Sequence, residues 1–176
     1  MTLSDKPIIL VGMMGCGKTT IGRGLAAVLK RGFFDSDREI EKIAGKTIAE
    51  MFKSEGEAAF RRREGEVLRT LLGAGPSVIA AGGGAFQDQQ TRVFVKQKAL
   101  SIWLSGAGDV FFQRTQKGGI RPLLKDAGAR EKFMALYRVR MPGYAQADFQ
   151  VASDGAPVET IIEDIIKVTG IKRDKG

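Results

Sequence analysis

Pro7-Ile8-Ile9-Leu10-Val11-Gly12-Met13-Met14-Gly15-Cys16-Gly17-Lys18-Thr19 is the stretch on which the reading of this chain turns. Five residues without a charge run straight into G-x-x-x-x-G-K-[ST], and a helical pattern follows over about 18–30. A strand before and a helix after are the context this motif requires. The chemistry is local: glycines let the backbone turn tightly and aim several N–H groups at phosphate oxygens. The helix that starts there adds its positive end. Lys18 reaches the outer phosphates, and the Thr19 hydroxyl is a ligand for magnesium. Cys16 reads as a small residue inside the turn.

Outward from the loop, short apolar runs alternate with longer helical patterns. The further runs are Gly32-Phe33-Phe34, Ser77-Val78-Ile79-Ala80-Ala81, Leu100-Ser101-Ile102-Trp103-Leu104 and Phe149-Gln150-Val151-Ala152. Most are continuous rather than alternating, the pattern of parallel strands covered on both faces. Helices are expected near 37–44, 47–53, 55–73, 88–97, 108–116, 129–138 and 157–168. In the last of these Val158, Ile161, Ile162, Ile165 and Ile166 form one apolar stripe. Alternation of this kind predicts a single α/β layered domain over 1–176, with ligands beyond the carboxyl ends of the strands.

Bulk composition narrows the function. Apolar residues make up 43% and charged residues 27% of 176, a normal globular balance. No apolar run approaches the roughly 18 residues that cross a bilayer, and Met1 to Lys6 lacks the order of a signal peptide. A soluble cytoplasmic protein is expected. With no histidine and one cysteine, an internal disulfide, the usual zinc sites and a histidine-dependent triad are excluded. The +8 charge is spread along the chain, and its densest cluster is only Arg61-Arg62-Arg63. That distribution favours small anionic ligands over a nucleic acid partner.

Phe34-Asp35-Ser36-Asp37 follows the second run, on the same sheet edge as the phosphate loop. Kinases with such a loop need an acid near magnesium. The third and fourth runs end in Gly82 and Ser105, so Asp35 is the candidate, acting through a metal-bound water. Asp37 is placed to accept a hydrogen bond from an alcohol and take its proton. Either acid alone has an ordinary alternative use, capping the helix that begins near Arg38.

Glu57, Arg61 and Glu64 are spaced to share one helix face, with Phe60 anchoring the other side. A guanidinium held by two acids suits bidentate binding of a carboxylate or phosphate. A solvated helix salt bridge is the competing reading, slightly favoured on these residues alone. Gly82-Gly83-Gly84 permits close approach of a ligand to the backbone or makes a simple loop. The segment of about 113–127 mixes Arg114, Lys117 and Arg121 with Gly118 and Gly119. It reads as a mobile lid, with Arg121 neutralising a transferring phosphoryl group, or as a basic surface loop. Arg140, before Met141-Pro142-Gly143-Tyr144, sits near an expected helix end and is either ligand-facing or exposed.

Taken together, these motifs resemble the shikimate kinase family in order and spacing over essentially the whole length. The match runs through Gly12 to Thr19, Phe34 to Asp37, Ile48-Ala49-Glu50-Met51-Phe52, Gly56-Glu57, Phe60-Arg61 and Glu64. It continues through Gly82-Gly83-Gly84, Arg121-Pro122-Leu123-Leu124, Arg140, Pro142 and Tyr144. One departure is Ala81, where many relatives carry Thr or Ser. The resemblance implies a P-loop kinase three-layer α/β fold like that of nucleoside monophosphate kinases. Its sheet would be parallel and five-stranded in the order 2-3-1-4-5. It implies transfer of the ATP γ-phosphate to the 3-hydroxyl of shikimate by a monomer, with Mg2+, and without nucleic acid or membrane. It places the nucleotide on Gly12, Met14, Gly15, Cys16, Gly17, Lys18, Thr19 and Thr20, with Arg114 stacked on adenine and Arg121 in the lid. Lys18, Asp37 and Arg121 would be catalytic, and Thr19 and Asp35 would serve the metal. The substrate region, about 34–64, would be completed by Gly82, Gly83, Gly84 and Arg140. In it Arg61 and Arg140 grip the carboxylate, while Asp37 and the Gly83 backbone meet hydroxyls. Gluconate or nucleoside monophosphate kinases are the nearest rivals. A guanine-nucleotide switch is disfavoured, because its usual Asn-Lys-x-Asp element needs an asparagine and the chain has none.

Overall fold

The computed structural model describes residues 5–117 and 128–172. Its centre is a parallel sheet of β1 (Ile8–Val11), β2 (Gly32–Asp35), β3 (Ser77–Ala80), β4 (Leu100–Ser105) and β5 (Phe149–Ala152). The strand order is β2-β3-β1-β4-β5, as the resemblance implied. Every residue of β1, β3 and β4 is buried. Alternate side chains of a strand point to opposite faces, so burial of all of them requires a helical layer on each side. The edge strands β2 and β5 are only partly covered.

The helices are α1 (Lys18–Val28), α2 (Ser36–Ala44), α3 (Ile48–Gly73), α4 (Gln89–Lys98), α5 (Gly108–Lys117), α6 (Ala129–Tyr144) and α7 (Val158–Thr169). α1 packs with α7 against the sheet, and α3 packs with α2 and α4. The apolar stripe of α7 faces the core through Ile161, Ile162 and Ile165. The architecture is the three-layer P-loop fold of nucleoside monophosphate kinases.

Two helix boundaries carry information. α3 starts at a capping box, in which Glu50 N–H donates to Thr47 Oγ1 at 3.2 Å and Thr47 N–H donates to Glu50 Oε2 at 2.7 Å. It is interrupted at Gly56, where φ 80° and ψ 171° are not helical. This left-handed φ falls to glycine, the one residue without a Cβ penalty there. The break falls at Gly56, inside the second expected helix (55–73) rather than before it, because only glycine takes this φ without strain. Phe52 and Phe60 face each other across the break, ring centroids 4.8 Å apart.

The expected end of α6 near residue 138 is wrong. The helix continues through Pro142 to Tyr144. Proline removes one backbone donor from the helix interior, but tertiary contacts outweigh that loss. Tyr144 is fully buried, and Gly143 lies so close to Gln87 that an added Cβ would stand 2.6 Å from its Oε1.

Candidate active site

The phosphate loop, the acids at Asp35 and Asp37 and the three glycines follow the carboxyl ends of β1, β2 and β3, and Arg61 of α3 and Arg140 of α6 reach the same rim. Gly12, Gly15 and Gly17 shape the turn after β1 with φ of 144°, 83° and 94°. The N-terminus of α1 has no side-chain cap, which leaves its first N–H groups to an anion. Lys18 Nζ donates to the carbonyls of Gly12 at 2.8 Å and Met13 at 3.1 Å, so its charge sits over the loop. Cys16 is buried within the turn and Met14 packs against the core.

Asp35, Ser36 and Asp37 are three adjacent residues aimed at three different parts of the site. Asp35 Oδ2 accepts a 2.9 Å hydrogen bond from Thr19 Oγ1. Although it occupies the N-cap position of α2, its side chain makes no capping bond, so the capping alternative fails for it. Ser36, fully buried, accepts from Gly82 N–H at 2.9 Å. Asp37 lies against Gly82, where a Cβ would stand 2.5 Å from its Oδ1 and 2.9 Å from Glu64 Oε1.

The three glycines each face a different charged group. Gly82 meets Asp37 and Glu64. Gly83 meets Arg140, with 3.0 Å between its would-be Cβ and Nη1. Gly84 meets Arg61, whose guanidinium a side chain there would strike. A side chain at Gly82 or Gly84 would displace the charged group it faces, so the absence of Cβ atoms lets these groups close on the backbone. The same Gly83 position is 4.0 Å from Gly12 O, the carbonyl that receives Lys18. The phosphate loop and the charged cluster on the glycines thus lie against each other.

Arg61 is half-buried, with one ion-pair partner inside and one outside. Its Nη1 is 2.7 Å from Glu64 Oε2, and Glu64 is only 3% exposed. Its Nη2 reaches the outer Glu57 Oε1 at 3.4 Å, and the guanidinium lies 5.2 Å from the Phe60 ring centre. Burial works against its charge, but Glu64 and Glu57 overcome that and raise its pKa. Burial also pushes the Glu64 carboxyl above its ordinary value. Arg61 opposes this rise, Asp37 adds to it and Arg140 opposes it weakly. Burying a carboxylate beside another acid is costly unless a cation needs holding.

A second cleft, of about 200 Å³, opens between the phosphate loop and the end of β5. Cys16, Gly17, Thr20, Arg114, Ser153 and Ala156 are among its lining residues. Arg114 Nη1 donates to Ser153 O at 2.9 Å, which holds the guanidinium at the rim. Arg121 and most of the expected lid fall outside the described residues.

Sequence reasoning placed Lys18, Thr19, Asp35, Asp37, Arg61 and the glycines, and the structure brings them to one rim with Arg140. It missed Ser36, which looked like a spacer between two acids, and the depth at which Glu64 is buried. It pointed to the region of 153–157 beside adenine without singling out a residue, because Ser153 contributes through its backbone carbonyl, which any residue carries.

Residues 14–169 match the family model described as shikimate kinase. The chain is 46% identical over 165 residues to the shikimate kinase of Bradyrhizobium diazoefficiens, covering 94% of this chain and 80% of that one. Against the shikimate kinase of Zymomonas mobilis it is 43% identical, with 92% of each chain covered. Among solved structures, shikimate kinase from Acinetobacter baumannii in complex with shikimate superposes with a TM-score of 0.86. That pair is 38% identical, over 93% of this chain and 92% of the other. A gluconokinase from Sinorhizobium meliloti, 13% identical with a TM-score of 0.60, shares the fold alone. From its phosphate loop to the end of α7, this chain belongs to the shikimate kinase family.

Proposed function

We infer that the protein transfers the γ-phosphate of ATP to the 3-hydroxyl of shikimate, yielding shikimate 3-phosphate and ADP for aromatic amino acid biosynthesis. One observation carries the reading: Asp37, Arg61 and Arg140 converge on the backbone of Gly82 to Gly84, which lies against Gly12 of the phosphate loop. Two cations and one acid around a backbone floor suit a hydroxylated monocarboxylate. Arg61 and Arg140 take the carboxylate, and Asp37 with the Gly83 backbone orients the hydroxyls. The acceptor oxygen attacks the γ-phosphorus, its proton passes to Asp37, and the bond to the β-phosphate oxygen breaks with its electrons leaving on ADP. Lys18 offsets charge on the outer phosphates, while Arg114 and the cleft of Thr20, Ser153 and Ala156 take the base. Arg121, which lies outside the described residues, is assigned to neutralise charge on the transferring phosphoryl group.

Magnesium fits the residues present. Thr19 Oγ1 and Asp35 Oδ2 are hard oxygen donors already 2.9 Å apart. Among the described residues no group of three or more acids or thiols is built to hold a metal. Mg2+ commonly uses one or two protein oxygens, waters and substrate phosphates. When bound, it neutralises phosphate charge. The reading also includes a single domain over 1–176 acting as a cytoplasmic monomer, since one chain supplies every group named. No described helix is long and apolar enough to cross a membrane.

The test is ADP release with shikimate, gluconate and nucleoside monophosphates side by side. Release is expected with shikimate, and faster release with either rival overturns the assignment.

Glu64 supplies a further check. Its raised pKa means that the fold favours the protonated form. That contribution is complete below the ordinary value of 4.5 and is lost as pH climbs through the folded value. The ionised side chain is thus a cost at neutral pH, offset by its grip on Arg61. Glu64→Gln should leave thermal stability at neutral pH equal or higher, while KM for shikimate rises about tenfold, the worth of one charged hydrogen bond. In the parent, KM should begin to climb on acidification above pH 4.5, and this limb should vanish in the variant. An unchanged pH profile would dissociate Glu64 from acceptor binding.

A further inference from the structure

Tyr144 is a fully buried side chain of the last turn of α6, and packing accounts for its ring but not for its hydroxyl. The ring lies beside Trp103, centroids 6.3 Å apart. The hydroxyl donates to Gly83 O at 2.5 Å, the middle glycine of the loop that floors the acceptor pocket. Arg140 is one helical turn earlier, at i−4, and so shares a face with Tyr144. The Arg140 guanidinium also comes to 3.0 Å from the same glycine, measured to a Cβ built there, and Tyr144 Oη to 3.8 Å. Glycine loop, arginine and phenol therefore meet at one point.

That point is held from two more sides. Gln87 Nε2 donates to Arg140 O at 3.1 Å, tying the helix end to the short turn after the glycines. Gly82 N–H is committed to Ser36, and the carbonyls of Gly82 and Gly84 accept from Ala85 and Gln87 N–H, so the Gly83 carbonyl is the one that receives a side chain, Tyr144. Burial lifts the phenol pKa to about 12, with the Arg140 charge as the leading opposing influence. The hydroxyl therefore stays protonated and able to donate at any working pH.

We propose that Tyr144 is a positioning residue for the acceptor's carboxylate site, its hydroxyl setting the Gly83 backbone and the Arg140 guanidinium in one fixed relation. This rests on the reading of Arg140 as a carboxylate ligand. It explains why α6 continues through Pro142: ending the helix at residue 138 would detach both Arg140 and Tyr144 from the loop they serve. A phenylalanine would fill the same volume without the bond, so the hydroxyl is what the proposal concerns.

The experiment compares Tyr144→Phe with the parent, using shikimate and its uncharged carboxamide as acceptors. The expected result is a rise of about tenfold in KM for shikimate, the worth of one hydrogen bond at a charged site. KM for ATP and kcat should stay within about twofold. KM for the carboxamide, already higher in the parent, should not move. An equal rise for both acceptors would mean a general loosening of the pocket and would overturn the proposal, as would no rise for either. If the parent accepts the carboxamide as well as it does shikimate, the carboxylate reading of Arg140 itself falls, and the proposal with it. Thermal unfolding followed by Trp103, the only tryptophan, reports whether the variant folds. Should it fail to fold, Gln87→Ala, which removes the other tie on the same turn, carries the test. It must then raise KM for shikimate selectively over the carboxamide, and no selectivity would sink the idea.

Discussion

Lys18→Ala is expected to lower turnover by a hundredfold or more while the protein remains folded. The ammonium stands over the phosphate loop at 2.8 and 3.1 Å from two of its carbonyls. In phosphoryl transfer the protein contributes mostly positioning and charge, with little covalent chemistry of its own. Removing Lys18, the lysine we assign to the outer phosphates, should therefore raise the barrier by about 3 kcal/mol, which is roughly a hundredfold in rate. The fold should tolerate the change because Lys18 is partly exposed and water can replace its ammonium at the two carbonyls. Initial rates of ADP formation at saturating shikimate, set beside a melting curve, check both halves. A folded variant with parental turnover would remove the phosphate-loop assignment.

Arg61→Ala should raise KM for shikimate between about tenfold and a hundredfold, the range for a charge-assisted hydrogen bond to a carboxylate. KM for ATP should hardly change, because Arg61 lies against Gly84 and α3 rather than the phosphate loop. A second consequence concerns stability. Glu64 is 3% exposed and loses its nearest cation in this variant, and an uncompensated buried charge is strongly destabilising. The carboxyl should respond by taking up a proton at still higher pH. Arg61→Ala combined with Glu64→Gln should therefore regain melting temperature without regaining affinity for shikimate. If the single variant instead loses ATP binding while folded, Arg61 has been assigned to the wrong ligand.

These two residues differ in how far sequence alone could carry them. Lys18 is defined by a local pattern, in which glycine spacing, the preceding apolar run and the following helix all lie within a few residues of it. Arg61 was left between a ligand-binding role and a solvated salt bridge, because i,i+3 and i,i+4 spacing describes a helix face without saying what covers it. The family resemblance favours the ligand-binding role, and the burial of Glu64 shows that one side of the ion pair is shielded from water. Asp35 lies between. Its place after β2 was legible, but its use by Thr19 rather than by the helix it precedes was not.

What the sequence determined by itself was local: five strands from short, mostly apolar runs and the phosphate loop from its glycines. Each rests on backbone preference or side-chain periodicity within one short window. The tertiary structure decided what depends on meetings between distant segments. Ser36 bonds to Gly82 across 46 positions and Tyr144 to Gly83 across 61, and no periodicity spans such separations. The same holds for α6, where proline signals an end and packing of Tyr144 overrides it. Local propensities are worth around 1 to 3 kcal/mol per residue, and burying a large aromatic side chain at a closed interface is enough to outweigh one of them.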